Sequence, residues 1–424
     1  MAGDGRGAGL ELSRTTEADE RHSELLELVL ERNRFQRRRV EALELDTPPR
    51  LRDLRPLAKR ELIADQAQHP PFGTNLTYPL ERYAHMWQTS GTTGTPLRVL
   101  DTAEDWAWWR RLFAHTLTVA GVDAGDRVGL AFSFGPHVQF WASQEGLQEL
   151  DAMAVPLGGM TSVQRIQTLA EVEATVVWCT PTYALRLHEV ALHERLDSAF
   201  DSVRLVLCTG EPGASLPGVR SRIEEAFGAR CIDHAGLTET GPFGYPCPEG
   251  HGLHVLESEF VCEIVDEQLN PTPPGERGEL LLTPLKRTGF PVLRYRTGDA
   301  VVNTQERCPA GHVDRWLPGG IVGRTDDMAI IRGMNVYPSA VEEAVRRVSG
   351  SGEFRITYYS EPSGMDEIKL EVELEEGAAA RRLQETMRQQ LGLRVRVVPV
   401  APGVLPRPNG KSRRVVDARP RRFS

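Results

Sequence analysis

Apolar side chains between residues 17 and 45 recur at three- and four-residue spacing (Leu25, Leu26, Leu28, Val29, Leu30, Phe35, Val40, Leu43), which predicts one or two amphipathic helices. A proline-rich stretch follows and reads as extended as far as Tyr83. Beyond it the pattern changes to short apolar runs divided by helical ones. Residues 127–132, 174–179 and 204–208 read as buried strands, and 181–196 and 217–227 as helices. Strands alternating with helices predict a mostly parallel, covered sheet. After Glu257 the character shifts: residues 259–265 and 278–283 alternate as antiparallel strands do, divided by the turn Thr272-Pro-Pro-Gly275. A last unit holds strands at 328–331, 354–359 and 368–374 and helices at 339–348 and 378–391. The pattern therefore predicts an α/β protein with a boundary at 323–327. A large domain, 1–322, combines parallel sheet, helices and a small β region, and a small α+β domain spans 323–424.

Composition narrows the classes. A chain of 424 residues is too long for one core, which agrees with two domains. The apolar share of 40% and charged share of 26% are those of a globular protein. A net charge of -9 gives no basic field for nucleic acid or anionic membrane. The basic runs Arg37-Arg38-Arg39 and 413–422 read as surface charge. No run approaches the ~18 apolar residues of a membrane span, and the start lacks a signal-peptide core. The expectation is a cytoplasmic protein with neither nucleic-acid nor membrane partners. Its six cysteines are scattered and do not form a disulfide framework.

Five short motifs carry chemistry. In Gln88-Thr-Ser-Gly-Thr-Thr-Gly-Thr-Pro-Leu-Arg98 two glycines permit close backbone approach to a polyanion. The hydroxyls and N–H groups of Thr89, Ser90, Thr92 and Thr93 can donate to phosphate oxygens. It is not a Walker loop, because no Gly-Lys-Ser/Thr follows. In Asp233-His-Ala-Gly-Leu-Thr-Glu239 an acid follows a threonine, a pair that can hold Mg²⁺ against phosphate. Tyr295-Arg-Thr-Gly-Asp299 places a carboxylate on a tight turn, where it can take both hydroxyls of a ribose. The fourth motif is 323–338, Gly-Arg-Thr-Asp-Asp-Met-Ala-Ile-Ile-Arg-Gly-Met-Asn-Val-Tyr-Pro. The fifth, Arg407-Pro-Asn-Gly-Lys411, carries a lysine able to reach a phosphate or carboxylate.

In this order the motifs resemble the adenylate-forming superfamily of acyl-CoA synthetases, adenylation domains and luciferases, and within it the phenylacetate–CoA ligase-like branch. The resemblance runs from about Glu31 to the C-terminus. It implies a phosphate loop of Thr89, Ser90, Gly91, Thr92, Thr93 and Gly94. It implies an adenine site of Gly210, Glu211 and Pro212, with Asp233, His234, Ala235 and Gly236 along its edge. Thr238 would contact the α-phosphate and Glu239 would hold Mg²⁺. Asp299 would bind the ribose, assisted by Arg324. Asp326 would be the hinge of a mobile C-terminal domain. Gly333, Asn335 and Tyr337 would line a thiol tunnel for coenzyme A, and Lys411 would bridge the carboxylate and α-phosphate. The implied reaction uses ATP to adenylate a carboxylic acid and then passes the acyl group to a thiol. Rotation at the hinge lets one site serve both steps.

Two positions depart from the family pattern. Thr95 stands where a lysine is usual, leaving Arg98 to supply the charge or the loop to grip more weakly. Ala235 stands where an aromatic is usual, which enlarges that end of the pocket and leaves polar contacts to His234. Members of this branch also carry a Cys/His set that resembles a structural zinc site. Cys247, His254 and Cys308 match it, Ala310 replaces a cysteine, and His312 can substitute; His251 rivals His254. By position, Phe134, His137, Phe140, Gly158, Gly159 and Met160 line the acyl pocket and suggest a small aromatic acid, although Phe140 equally suits core packing. The leading expectation is an aryl–CoA ligase. The rival is a natural-product enzyme of the same fold that uses a carrier-protein thiol or an amine, or activates nitrite. A non-catalytic nucleotide-binding regulator ranks lower, because Glu239 and Lys411 are both present. A homodimer is the base-rate expectation for assembly.

Overall fold

The computed structural model describes residues 22–44, 49–89, 95–133, 135–325, 327–331, 334–350, 352–361, 365–374, 377–391, 393–407 and 414–419. The amphipathic start forms helices α1 (22–32) and α2 (Arg34–Glu41). Asn33 caps α2 by accepting from the Gln36 N–H at 3.0 Å. The periodic positions Leu25, Leu26, Val29 and Phe35 are buried as their spacing requires.

The stretch expected to be extended instead contains a helix, α3 (Lys59–Gln68). It has few apolar residues but many good helix formers, and its flanking prolines lie outside it. Glu61 Oε1 accepts from the Ala58 N–H at 2.8 Å and closes its first turn. An antiparallel hairpin of β1 (Tyr83–Gln88) and β2 (Arg98–Thr102) follows. It leads into α4 (Ala103–Ala120), which opens on a reciprocal Thr102–Asp105 cap and ends at Gly121 with φ 83°.

Strands β3 (Arg127–Leu130), β4 (Met153–Pro156), β5 (Val176–Cys179), β6 (Leu205–Cys208) and β7 (Arg230–Asp233) form a parallel sheet in the order β4-β3-β5-β6-β7. Side chains alternate across it. Val176 and Trp178 join the core beneath α4, with Trp109 and Phe113. Val177 and Cys179 join the opposite core, with Leu187, Val219 and Ile223. Helix α5 (Val138–Gln148) adds Phe140 and Leu147 to the first core, and the second is closed by helices α6 (Ser162–Glu171), α7 (Pro181–Glu194) and α8 (Pro217–Phe227). With both faces covered, β5 and β6 are apolar at every position.

The chain then forms two antiparallel sheets. Strands β8 (Ala235–Leu237), β9 (Gly241–Pro246), β10 (Gly252–Val255) and β14 (Arg315–Pro318) make one, and β11 (Phe260–Val265), β12 (Arg277–Pro284), β13 (Tyr295–Val302) and β15 (Gly323–Arg324) the other. The last unit has a hairpin, β16 (Ala329–Ile331) with β17 (Met334–Val336), then α9 (Pro338–Ser349), β18 (Phe354–Ser360), β19 (Asp366–Glu373), α10 (Ala378–Leu391), β20 (Arg396–Val400) and β21 (Val415–Asp417). It has its own core around Val341, Ile356, Leu370 and Leu383. Among the described residues no helix is long and apolar enough to cross a membrane.

Candidate nucleotide and carboxylate site

The neck of the phosphate-loop motif is closed by two bonds. The Thr89 N–H donates to the Leu97 carbonyl at 3.0 Å, and the Leu97 N–H donates to Thr89 Oγ1 at 3.1 Å. Ser90, Gly91, Thr92, Thr93 and Gly94 lie outside the described residues, as do Phe134, Asp326, Gly333 and Lys411. Arg98 is exposed and donates to the Pro71 carbonyl at 3.0 Å.

Thr238 and Glu239 lie on the turn between β8 and β9. Glu239 is buried, yet its Oε1 meets Lys59 Nζ at 3.0 Å, so α3 delivers a cation to this turn. Tyr295, the first residue of β13, is a second neighbour of that carboxylate. Burial and then the Glu239 carboxylate push its phenol well above the usual range. Four residues on, Asp299 Oδ1 accepts from Arg324 Nη1 at 2.8 Å, because β13 and β15 pair these residues in register. One strand thus carries both the neighbour of the Glu239 carboxylate and the Asp299 carboxylate.

After β6, Gly210 turns with φ 90°, a conformation that favours glycine, and Pro212 follows Glu211 on the same loop. Glu211 Oε1 accepts from the Thr182 N–H at 2.8 Å. Asp233 Oδ2 accepts from Ser215 Oγ at 2.9 Å and from the Ser215 N–H at 3.2 Å. Burial pushes its carboxyl up to about 7. Next to it, burial pulls the His234 imidazole down to about 3. Both ring nitrogens of His234 are buried without a hydrogen-bond partner, and the ring sits edge-on to Phe113 and Trp178 at 5.7 and 5.1 Å. Ala235 pairs with Gly244, and Gly236 lies against Pro242.

The acyl-pocket candidates separate. Phe140 is 2% exposed and belongs to the core, edge-on to Trp141. His137 is exposed, and its Nδ1 lies 3.0 Å from the carbonyl of Gln88, the last residue of β1. Gly159 has φ 82° with open space around it, Gly158 precedes it, and Met160 is exposed. In the thiol-tunnel segment Asn335 lies on β17, and Tyr337 is buried under the Arg277 guanidinium, 5.4 Å from its ring centroid.

The Cys/His set converges. Ligand atoms of Cys247, His254 and His312 all lie within 4.8 Å of one another, and Cys308 Sγ is 3.6 Å from Cys247 Sγ. His254 Nε2 is buried without a partner, while its Nδ1 lies 3.4 Å from the Asp314 carbonyl. His251 is not in the group; its carbonyl accepts from Trp316 Nε1.

Residues 33–283 match the profile of AMP-binding enzymes, and residues 333–419 match that of the AMP-binding enzyme C-terminal domain. The chain belongs to the AMP-binding enzyme family. Within this adenylate-forming group it falls in the phenylacetate–CoA ligase-like branch. It is 30% identical to the phenylacetate-coenzyme A ligase of Thermus thermophilus over 95% of this chain and 96% of that one. It is likewise 30% identical to the enzyme of that name from Escherichia coli, over 84% and 83%. The structure of 2-hydroxyisobutyryl-CoA ligase in the postadenylation state superposes with a TM-score of 0.87 at 32% identity, over 94% of this chain and 88% of that one. The same enzyme in the thioesterification state, with coenzyme A, gives 0.71 over 96% and 90%.

For this family member, sequence reasoning missed Lys59. The helix formers from Lys59 to Gln68 and the acid at Glu61 were the available signal for α3, outweighed by low apolar content and flanking prolines, and nothing local says that its first residue meets Glu239.

Proposed function

We propose that this enzyme adenylates a small carboxylic acid with ATP and transfers the acyl group to the thiol of coenzyme A, releasing AMP and pyrophosphate. The observation that carries this reading is the buried Glu239 carboxylate, which meets Lys59 and neighbours Tyr295, the residue that opens the strand carrying Asp299 and its partner Arg324. A buried carboxylate facing a cation is a place built for charge, and phosphates with a divalent ion supply it.

The family parentage supports the roles. The loop 89–94 cradles the triphosphate through backbone N–H and hydroxyl donors. Gly210, Glu211, Pro212 and Asp233 face the adenine, and Asp299 with Arg324 takes the ribose. Thr238 contacts the α-phosphate. Glu239 is the ligand for Mg²⁺, which neutralises charge on the phosphates when bound. Lys411 spans the carboxylate and the α-phosphate, so attack of carboxylate oxygen on phosphorus expels pyrophosphate. The thiol then attacks the acyl carbonyl and AMP leaves. Asp326 is the hinge, with the large domain ahead of it and the small one behind, and Gly333, Asn335 and Tyr337 belong to the thiol approach. The higher TM-score to the postadenylation state favours the adenylation arrangement for this conformation.

The unpartnered nitrogens of His234, ringed by Phe113 and Trp178, favour an aromatic acid with a hydrogen-bonding substituent. The Cys/His group suits zinc. Two thiolates bound to one tetrahedral ion sit about 3.8 Å apart, close to the 3.6 Å between Cys247 and Cys308. Zinc would also give His254 Nε2 a partner, with the Asp314 carbonyl orienting the ring from behind.

The test is pyrophosphate release across paired aryl and alkyl acids, with and without coenzyme A and nitrite. Turnover of an acid that consumes coenzyme A is expected. Turnover that needs nitrite and an aryl amine and ignores coenzyme A would overturn the reading.

A further inference from the structure

Arg287 and Asp101 form an ion pair with both side chains 0% exposed. Arg287 Nε donates to Asp101 Oδ1 at 2.7 Å, and its guanidinium lies over the Trp109 ring, 5.3 Å from the centroid. On the other side, Arg287 Nη1 donates to two successive carbonyls, Thr238 at 2.7 Å and Glu239 at 2.8 Å. Asp101 lies on β2, the strand that leaves the phosphate loop, and its Oδ2 accepts from Trp87 Nε1 at 2.7 Å on β1. One guanidinium therefore ties the hairpin bearing the phosphate loop to the turn bearing Glu239.

A fully buried ion pair is a poor source of stability, because desolvation offsets the attraction between the charges. What it does supply is direction. The planar guanidinium holds several acceptors in one rigid plane, which neither the freely rotating ammonium of a lysine nor an apolar side chain reproduces.

We infer that Arg287, locked by Asp101, is a positioning residue that fixes the Glu239 turn against the β1–β2 hairpin, and so tunes magnesium use in the adenylation step. This rests on the proposed role of Glu239. Arg287 touches no reacting atom; it acts through the backbone of the turn.

The test compares Arg287→Lys and the double variant Asp101→Asn/Arg287→Met with the unaltered enzyme. The double variant removes both buried charges, and its asparagine keeps an acceptor for Trp87. Pyrophosphate release is titrated with magnesium, and thioester formation is measured separately from supplied acyl-adenylate. In both variants the magnesium requirement should rise at least about tenfold and adenylation should fall on the order of a hundredfold. Thioester formation, which involves no triphosphate, should change less than about threefold. An equal loss in both steps with an unchanged magnesium requirement would reduce the pair to a structural role. So would recovery of the original magnesium dependence in the double variant. If the unaltered enzyme binds ATP equally well with and without magnesium in calorimetry, the assignment of Glu239 fails and this inference fails with it.

Discussion

Asp233 and His234 are adjacent, buried, and shifted in opposite directions by the same cause. The folded chain keeps the Asp233 proton up to about pH 7, whereas the unfolded chain releases it near 3.8. Asp233 therefore favours the folded state below pH 3.8, and that contribution is gone above pH 7. The folded chain refuses a proton at His234 down to about pH 3, whereas the unfolded chain accepts one near 6.5. The His234 contribution is thus complete above pH 6.5 and disappears as pH falls towards 3. Each effect is on the order of 4 kcal/mol, and between roughly pH 4 and 6.5 they oppose each other. Asp233→Asn should leave stability rising with pH across that window, and His234→Leu should leave it falling. Denaturant titrations at several pH values check this, and parallel profiles for the two variants would contradict it. Lys59 offers a second test at this scale. Lys59→Met strips Glu239 of its cation, and adenylation should drop by about tenfold or more, with the Michaelis constant for ATP raised. An unchanged constant would mean that Lys59 only packs the turn. Asp299 and Glu239 stood out in the sequence because each belongs to a short, distinctive motif, although Asp299 lies within strand β13 rather than on the tight turn its Thr-Gly-Asp sequence suggested. Lys59 did not, because it is an unremarkable surface-type residue until α3 is docked.

At the scale of elements, the strands of the parallel sheet were readable from their unbroken apolar runs. Helix α3 was not, since its apolar content is low and prolines bracket it. The cysteine and histidine cluster shows how elements assemble a site. Cys247 follows β9, His254 lies on β10, and Cys308 and His312 lie in the segment before β14. The pairing of β9, β10 and β14 in one sheet brings them together. If zinc ties these elements, purified protein should carry about one equivalent, and chelation should lower the unfolding midpoint by at least about 5 °C. Cys308→Ala should do the same. Metal-free protein with an unaltered midpoint would remove the zinc from this reading.

For the whole molecule, the arrangement of the C-terminal segment follows from a few polar contacts. Glu343 on α9 accepts from the Gly218 N–H at the start of α8, at 2.8 and 3.0 Å, and so caps a helix of the other part of the chain. Arg414 reaches Thr182 at 3.4 Å, and Arg407 lies 3.7 Å from Glu189 while also paired with Glu373. A charged cap of this kind is worth about 1–2 kcal/mol. Glu343→Ala should therefore slow adenylation about fivefold to twentyfold and leave thioester formation from supplied acyl-adenylate unchanged or faster. Equal slowing of both half-reactions would show that the contact does not select between arrangements.

By itself the sequence determined what is local: the periodicities that make strands and helices, the turn chemistry of the nucleotide motifs, and the order in which those motifs occur. These depend on near neighbours, so a linear reading reaches them. Tertiary structure alone decided which distant charges meet. Arg287 and Asp101 read as ordinary polar residues, yet they are fully buried because sheet pairing and the packing of α4 enclose them. Whether a charge faces water or closes a turn is set by long-range contacts, and no window of the sequence contains them.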